Sequence, residues 1–371
     1  MIVNVHTELI RNAVNKILTV VDKKKTRPIL TYTLVNVANN KVEFSATDLE
    51  VSAKVSINAS VKKEGSFCVN AKNLFEILRE LPLADIYLEI ENDGNSLRLI
   101  CNDINYSLLI YNSKEFPKLV FQNNSNSFSI KAKDVSDLIN KTSYAISTDE
   151  TRLYLNGIYM QEIDSKMRVV ATDGHRLALL DLPSINTQIE NLANGIIIPK
   201  KGIFEIKKMA DNFSEQEINF SLDDSFIYVS VDETYALSIR LIAREYVKYQ
   251  AVIPNKTSFK LVTDRDLFFD AVRRIKIMSN EKSNAVKIKI TKNEMIVMAN
   301  HPSLGDAQER VAIDYDGKEM EIGFNAKYLL DILTSFEQKE IVLELNNELS
   351  TVIVKAPELP NYLAIIMPLR I

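Results

Sequence analysis

The feature that most restricts how this chain can fold is that it repeats itself three times. Ser45-Ala46-Thr47-Asp48, Val170-Ala171-Thr172-Asp173 and Met298-Ala299-Asn300-His301 each end a strand-like run, about 125 residues apart. A second marker keeps the same period and order: Asn70-Ala71-Lys72-Asn73-Leu74, Pro199-Lys200-Lys201-Gly202-Ile203 and Asn325-Ala326-Lys327-Tyr328-Leu329. Two markers in one order make three tandem copies of one domain, which suits a length of 371 residues, more than one ordinary core holds. Asn, Ser, Pro and Lys gather at residues 121–127 and 254–258, so the expected copies are 1–125, 126–255 and 256–371.

Each copy is expected to open with a helix. Leu9, Ile10, Ala13, Val14, Ile17 and Leu18 recur at helical spacing behind Thr7 as N-cap; Val135, Leu138, Ile139 and Thr142 do so in the second copy; Leu267, Phe268, Ala271, Val272 and Ile275 do so in the third. The second marker is also helical. Opposite these apolar stripes stand Arg11, Asn15, Lys16, Asn140, Lys141, Arg273 and Arg274 on the first helices, and Lys72, Arg79, Lys200, Lys201, Lys207, Lys208 and Lys327 on the second. Between the helices run alternating segments such as Ile86-Tyr87-Leu88-Glu89-Ile90 and Ile227-Tyr228-Val229-Ser230-Val231, which read as half-buried antiparallel strands. The fold class is therefore α+β, two helices laid on one side of antiparallel sheet in every copy. If the copies form an arc with helices inward, the concave side is basic and suits phosphate without base reading.

Composition excludes several classes. With nine glycines and neither a Walker-type loop nor GxGxxG, nucleotide binding is not expected. Cys68 and Cys101 sit in apolar runs without a second ligand at metal spacing, and His6, His175 and His301 are scattered, so neither a disulfide nor a metal site is expected. The amino terminus lacks the basic start and apolar core of a signal peptide, and no apolar run nears the ~20 residues of a membrane helix. The expectation is a soluble, cytoplasmic protein. A net charge of −4 still permits a basic face, because steering depends on where charges lie.

The stretch from Val169 to Leu180 stands out. Asp173-Gly174 between two apolar runs reads as a tight hairpin turn whose Asp-Gly pair supplies the positive φ angles. The repeat separates frame from function here. Ala with Thr or Asn at the strand end recurs, whereas Gly174-His175-Arg176-Leu177 occurs only in the second copy; the first has Leu49-Glu50-Val51-Ser52 and the third Pro302-Ser303-Leu304-Gly305. Asp173 and His175 could be read as an acid–base pair, but no positioned nucleophile accompanies them. The alternative to an enzyme is a binding protein in which this group is one wall of a pocket.

Ala171-Thr172-Asp173-Gly174-His175-Arg176-Leu177, Leu155-Asn156-Gly157, Ser279-Asn280-Glu281-Lys282, Glu319-Met320-Glu321-Ile322-Gly323-Phe324-Asn325 and the terminal Met367-Pro368-Leu369-Arg370 resemble the bacterial replicative sliding clamps, the β subunit of DNA polymerase III, over the whole length and in order. The resemblance implies a DNA-processivity factor: a head-to-tail homodimeric ring of six domains around duplex DNA, helices lining the hole, without catalysis or cofactor; the alternative is a DNA-binding scaffold of the same fold that does not encircle. It implies DNA contact at Lys24, Lys72, Arg152, Tyr154, Lys200 and Lys201, and a dimer joint of Tyr106 and Leu108 against Ile277 and Met278. It also implies a groove for short apolar motifs of the polymerase, the clamp loader and repair proteins, formed by Leu155, Thr172, Gly174, His175, Arg176, Leu177, Val247, Val252, Asn325, Tyr328, Met367, Pro368 and Leu369. Pro368 cannot donate to a ladder, so Met367, Leu369 and Ile371 are expected to leave the sheet as exposed apolar side chains. The chain departs from the family pattern at Tyr246-Val247-Lys248-Tyr249, where Phe-Pro-Asp-Tyr is usual, and at Ala251, where an Arg is usual. Both changes fall at the groove's edge and bear on which peptide it prefers.

Overall fold

The computed structural model describes all residues except 23–26, 92–93, 122–126, 184–186, 188 and 371. Each copy begins with a strand rather than a helix: Ile2–His6, Ser127–Lys131 and Phe259–Asp264 precede the first helices. The first of these buries Val3 and Val5 alternately, a period of two that is easily absorbed into the helical stripe that follows. The helices are α1 (Thr7–Ile17) and α2 (Ala71–Glu80) in the first copy, α3 (Ala132–Thr142), the short α4 (Glu190–Asn194) and α5 (Lys200–Asn212) in the second, and α6 (Arg265–Ile275) and α7 (Ala326–Thr334) in the third. The N-cap of α1 is His6, whose side chain accepts from the Glu8 N–H; Thr7 is already helical, and its buried hydroxyl donates to Ala84 O at 2.6 Å. The second sequence marker has a capping cause. Asn70 and Asn325 each begin a helix by accepting backbone N–H groups, from Asn73 at 3.0 Å and from Lys327 and Tyr328 at 3.0 and 3.3 Å.

The chain divides into two compact units, and the division cuts the middle copy. One unit is Met1–Val135 with Phe204–Leu241; the other is Ser136–Ile203 with Ile242–Ile371. The cause is strand pairing across the copies. Tyr235–Arg240, the last strand of the second copy, pairs antiparallel with Val51–Asn58, the fourth strand of the first, with Leu237 opposite Ala53. In the other unit Tyr362–Ile366, the last strand of the third copy, pairs with Arg176–Pro183, the fourth strand of the second, with Ala364 opposite Ala178. One rule, last strand to the preceding copy's fourth strand, is used twice in equivalent register.

The first unit is built on a 13-stranded sheet, and the second on sheets of eight and four strands. Helix-to-strand anchoring is repeated too. In the first unit Tyr235 donates its hydroxyl to Lys16 O at the end of α1, at 3.4 Å; in the second, Tyr362 donates to Lys141 O at the end of α3, at 2.9 Å. Both tyrosines are almost fully buried, and burial raises the phenol pKa of each.

The rule leaves two strands open. Ile104–Tyr111, last in the first copy, is bonded along its length to Ser96–Cys101 but meets Gly65–Asn70 only at Ile110 and Tyr111. Among the described residues Gly305–Ala312, fourth in the third copy, has a strand partner on one side only, Glu294–His301. The two share one exposure pattern along eight residues, half-buried alternating with exposed. Edges of this length are a template for another chain.

Candidate functional site

The turn at Thr172 is built by side chains rather than by paired positive φ angles. Only Gly174 is left-handed, at φ +89°. Asp173 instead forms an Asx-type loop: its carboxylate accepts the N–H groups of His175 at 2.9 Å and Arg176 at 3.0 Å. The buried Thr172 hydroxyl donates to Arg176 O at 2.7 Å and accepts from Gly174 N–H at 3.1 Å. An alanine Cβ at Gly174 would stand 3.0 Å from the Arg152 guanidinium.

Behind the turn lies an apolar cluster. Leu155, Val170, Leu177, Leu179, Ile197, Tyr246, Tyr249, Ile353 and Ile365 form its buried part, and Tyr154, Val247, Val252 and Leu363 are half-buried against it. Leu155, Leu177, Val247 and Val252 of the expected groove are thus brought together. Leu179, Ile353, Leu363 and Ile365 are not marked by any local pattern; the strand pairing of Leu177 to Ile365 and Leu179 to Leu363, 184 or more residues apart, and of Ile353 to Ile365 puts them there. Tyr159 stacks on Tyr246 at 4.7 Å between ring centres. Gly157 is required by close approach, since any Cβ would lie 2.3 Å from Ile198 O across the ladder that seats Leu155 beside this sheet.

Met367 to Leu369 do not project freely, and Ile371 lies outside the described residues. Met367 donates its N–H to His175 O at 2.9 Å, then Leu369 N–H reaches Gly323 O at 2.8 Å and forms a bridge to the strand Met320–Asn325. Pro368 stops the first ladder, as its missing donor requires. The open backbone then finds a second sheet, so Met367, Pro368 and Leu369 are half-buried rather than exposed. Asn325 is the N-cap of α7 and also donates to Ser283 O at 3.2 Å.

Arg176 is the largest surprise of the stretch. Its side chain is only 8% exposed and holds two carboxylates, Asp173 at 3.1 Å and Asp331 of α7 at 2.6 Å. Its guanidinium lies over the rings of Tyr328 at 4.4 Å and Tyr144 at 5.2 Å. Burial pushes the Tyr144 phenol up to about 12. His175 is exposed, with its ring stacked on Tyr328 at 6.0 Å. Asp173 therefore spends its oxygens on Arg176 and two backbone N–H groups, and His175 lies against an aromatic ring.

Among residues expected to meet DNA, Lys24 lies outside the described residues. Lys72 is exposed on α2, 3.7 Å from Glu76. Lys200 and Lys201 open α5 and are half-buried. Arg152 is held by Asp149 at 2.7 Å, and the Thr151 hydroxyl, then its N–H, then Arg152 bring the Asp149 carboxyl down to about 2. Tyr154 packs on the apolar cluster. Two lysines read as polar-face cations turn inward instead, Lys141 buried and Lys208 half-buried. Lys141 pairs with Asp137, and Lys208 donates to Asn15 O, Lys16 O and the Thr19 hydroxyl at 3.2, 2.8 and 3.0 Å, with burial lowering its pKa. Conversely Leu9 and Leu267, counted in apolar stripes, are 46% and 57% exposed. Of the expected dimer residues, Tyr106 and Leu108 are half-buried on the open strand Ile104–Tyr111; Ile277, 75% exposed, and Met278 sit in the turn after α6, beside the other open strand.

Comparison with known proteins covers the whole chain. Models of the DNA polymerase III beta subunit match at residues 1–120 for the N-terminal domain, 129–248 for the central domain and 250–370 for the C-terminal domain. The beta sliding clamp of Caulobacter vibrioides is 32% identical over 364 residues, 97% of each chain, and that of Proteus mirabilis 29% over 349 residues, 94% of each. The crystal structure of the Caulobacter crescentus beta sliding clamp, with polyethylene glycol bound, superposes with a TM-score of 0.95 at 31% identity, covering 100% of this chain and 99% of that one. A Bartonella birtlesii clamp bound to griselimycin gives 0.94 at 29% identity, with full coverage of both.

Proposed function

We infer that this chain, which belongs to the DNA polymerase III beta subunit family, is a DNA sliding clamp that closes as a head-to-tail homodimer around duplex DNA. The observation that carries the reading is the twice-used strand rule and the two edges it leaves. Applied a third time, it pairs Ile104–Tyr111 of one protomer with Gly305–Ala312 of its partner. The register of Leu237 on Ala53 and Ala364 on Ala178 transfers to Tyr106 on Ala307. Such a contact is heterologous, and two protomers close it into a ring of six copies. Exposed Ile277 flanks this edge and Leu109, 80% exposed, lies on the other, so apolar area is buried along with the ladder. A Tyr106→Cys, Ala307→Cys double variant is expected to give a covalent dimer on oxidation, because a disulfide needs Cα atoms within about 7 Å. Monomer as the sole product, with a monomeric mass in solution, would count against the ring.

For DNA we assign phosphate contact to Lys24, Lys72, Lys200 and Lys201. Arg152 and Tyr154 are proposed for DNA as well; Arg152 also pairs with Asp149 and Tyr154 packs on the apolar cluster, and we propose that both border the groove. Direct binding should weaken with salt, by about 0.9 in log–log slope for each phosphate neutralised. Topological linkage should not. The dimer loaded on closed circular DNA is expected to persist at high salt and to leave once the circle is cut; equal retention on linear DNA would sink encirclement.

The apolar cluster at Leu155, Leu177 and Val247 is proposed as the seat for short apolar motifs of a replicative polymerase, a clamp loader and repair proteins. Burying two or three large side chains contributes about 1.5–3 kcal/mol each. Ordering costs remove part of this and leave affinity on the order of micromolar, which suits partners that exchange. A labelled peptide with Leu and Phe anchors is expected to bind the full chain and to lose affinity in Met367→Ala. The protein does no chemistry in this reading. No helix among the described residues is long and apolar enough to cross a membrane, and we place the protein in the cytoplasm with the chromosome.

A further inference from the structure

We propose that Arg176 is a positioning residue of the groove, and that Asp331 on α7, outside the apolar cluster, sets the groove at His175 and Met367 through it. The inference rests on the groove reading above and adds a determinant to it. A groove cation would be expected at the surface with its charge available to a peptide. Arg176 is instead buried, and its charge is spent on Asp173 and Asp331. Its guanidinium lies over the Tyr328 ring, and the His175 ring stacks on Tyr328 nearly parallel, 21° between planes. His175 in turn supplies the carbonyl that anchors Met367. Asp331, Arg176, Tyr328, His175 and Met367 therefore form an unbroken chain of contacts from α7 to the last residues of the polypeptide.

The chain has a directional logic. The Asp173 contact is local, three residues away, and fixes the turn whatever happens elsewhere. The Asp331 contact spans 155 residues and fixes which way the guanidinium faces. Loss of Asp331 should leave the turn closed by Asp173 and Thr172 but free the plane that supports Tyr328. Lysine cannot substitute, because it has neither the planar face nor the fork that serves two carboxylates at once.

The test uses the full chain, a fluorescein-labelled peptide with Leu and Phe anchors, and the imidazole proton resonances, which are few because the sequence has three histidines. Asp331→Asn and Arg176→Lys are each expected to weaken the peptide about five- to tenfold, the size of a modest coupling between sites. Both should shift the His175 signal while leaving those of His6 and His301 in place. Tyr328→Phe keeps the ring and should preserve both readouts; Tyr328→Leu should lose both. An unmoved His175 signal and unchanged affinity in Asp331→Asn would overturn the proposal and reduce Arg176 to a structural ion pair. If wild-type binding proves insensitive to Met367→Ala, the groove reading has failed; if it is sensitive while Asp331→Asn is silent, only this inference has.

Discussion

The turn at Thr47 and the turn at Thr172 are the same piece of backbone put to different uses. In both, a buried threonine hydroxyl donates four residues ahead, to Val51 O at 3.1 Å and to Arg176 O at 2.7 Å. In both, an aspartate oxygen accepts the N–H groups two and three residues on, those of Glu50 and Val51 or of His175 and Arg176. The third residue is left-handed in each, Leu49 at φ +77° and Gly174 at +89°. Thr and Asp are thus the frame. What differs is the side chain at the fifth place: Val51 disappears into a sheet core, while Arg176 reaches out of its own copy to Asp331.

Replacing that fifth residue should separate the two turns most. Arg176→Ala strands Asp173 and half-buried Asp331 without their cation, a loss of about 3–5 kcal/mol for a broken buried pair. Val51→Ala removes two methyl groups from a packed strand, and by the cost of buried methylenes about 1–2 kcal/mol is expected. Denaturant unfolding of both variants decides it; equal losses would mean that Arg176 is only packing. Gly174→Ala comes next. A β-carbon there adds about 1–2 kcal/mol of left-handed strain and presses on Arg152 at 3.0 Å, so stability and peptide affinity should fall together. If stability alone falls, Arg152 is not part of the groove wall.

These cases show what was readable in the residues. Threefold repetition, the α+β class and the recurring strand end of Ala with Thr or Asn are periodic or local and were legible, whereas the part Asp48 and Asp173 play in the turns was not. The two compact units, the seating of Leu363 and Ile365 beside Leu177, the burial of Arg176 and the inward turn of Lys208 depend on pairing between distant copies, which spacing within one copy does not encode. Lys208 illustrates the physical reason. On a helical wheel it belongs with Lys207 on a wet face, and Lys207 does pair with Asp211 there at 2.6 Å. Lys208 differs because the end of α1 comes to rest on it and offers the Asn15 and Lys16 carbonyls of its open last turn.

The hydroxyl of the shared frame gives a test in which the two turns should agree. Thr47→Val and Thr172→Val each remove one buried donor and the acceptor for a turn N–H, at about 1–2 kcal/mol apiece. Thr172→Val should also weaken the peptide, since His175 and Arg176 leave from the same turn, whereas Thr47→Val should leave peptide binding unchanged. A similar drop in affinity for both would mean that the turns are not functionally distinct.

The smallest expected effect has the opposite sign. Leu49 holds a left-handed conformation that glycine adopts without penalty, yet it is 40% exposed and so gains little from packing. Leu49→Gly relieves about 1–2 kcal/mol of strain and gives back roughly 0.5–1 kcal/mol through the greater freedom of an unfolded glycine. A net stabilisation of a few tenths to about 1 kcal/mol should remain, visible as a raised denaturant midpoint at unchanged slope. Should the midpoint fall instead, Leu49 is held by contacts worth more than its strain, and the first turn would then be a specialised site of its own rather than the plain version of the second.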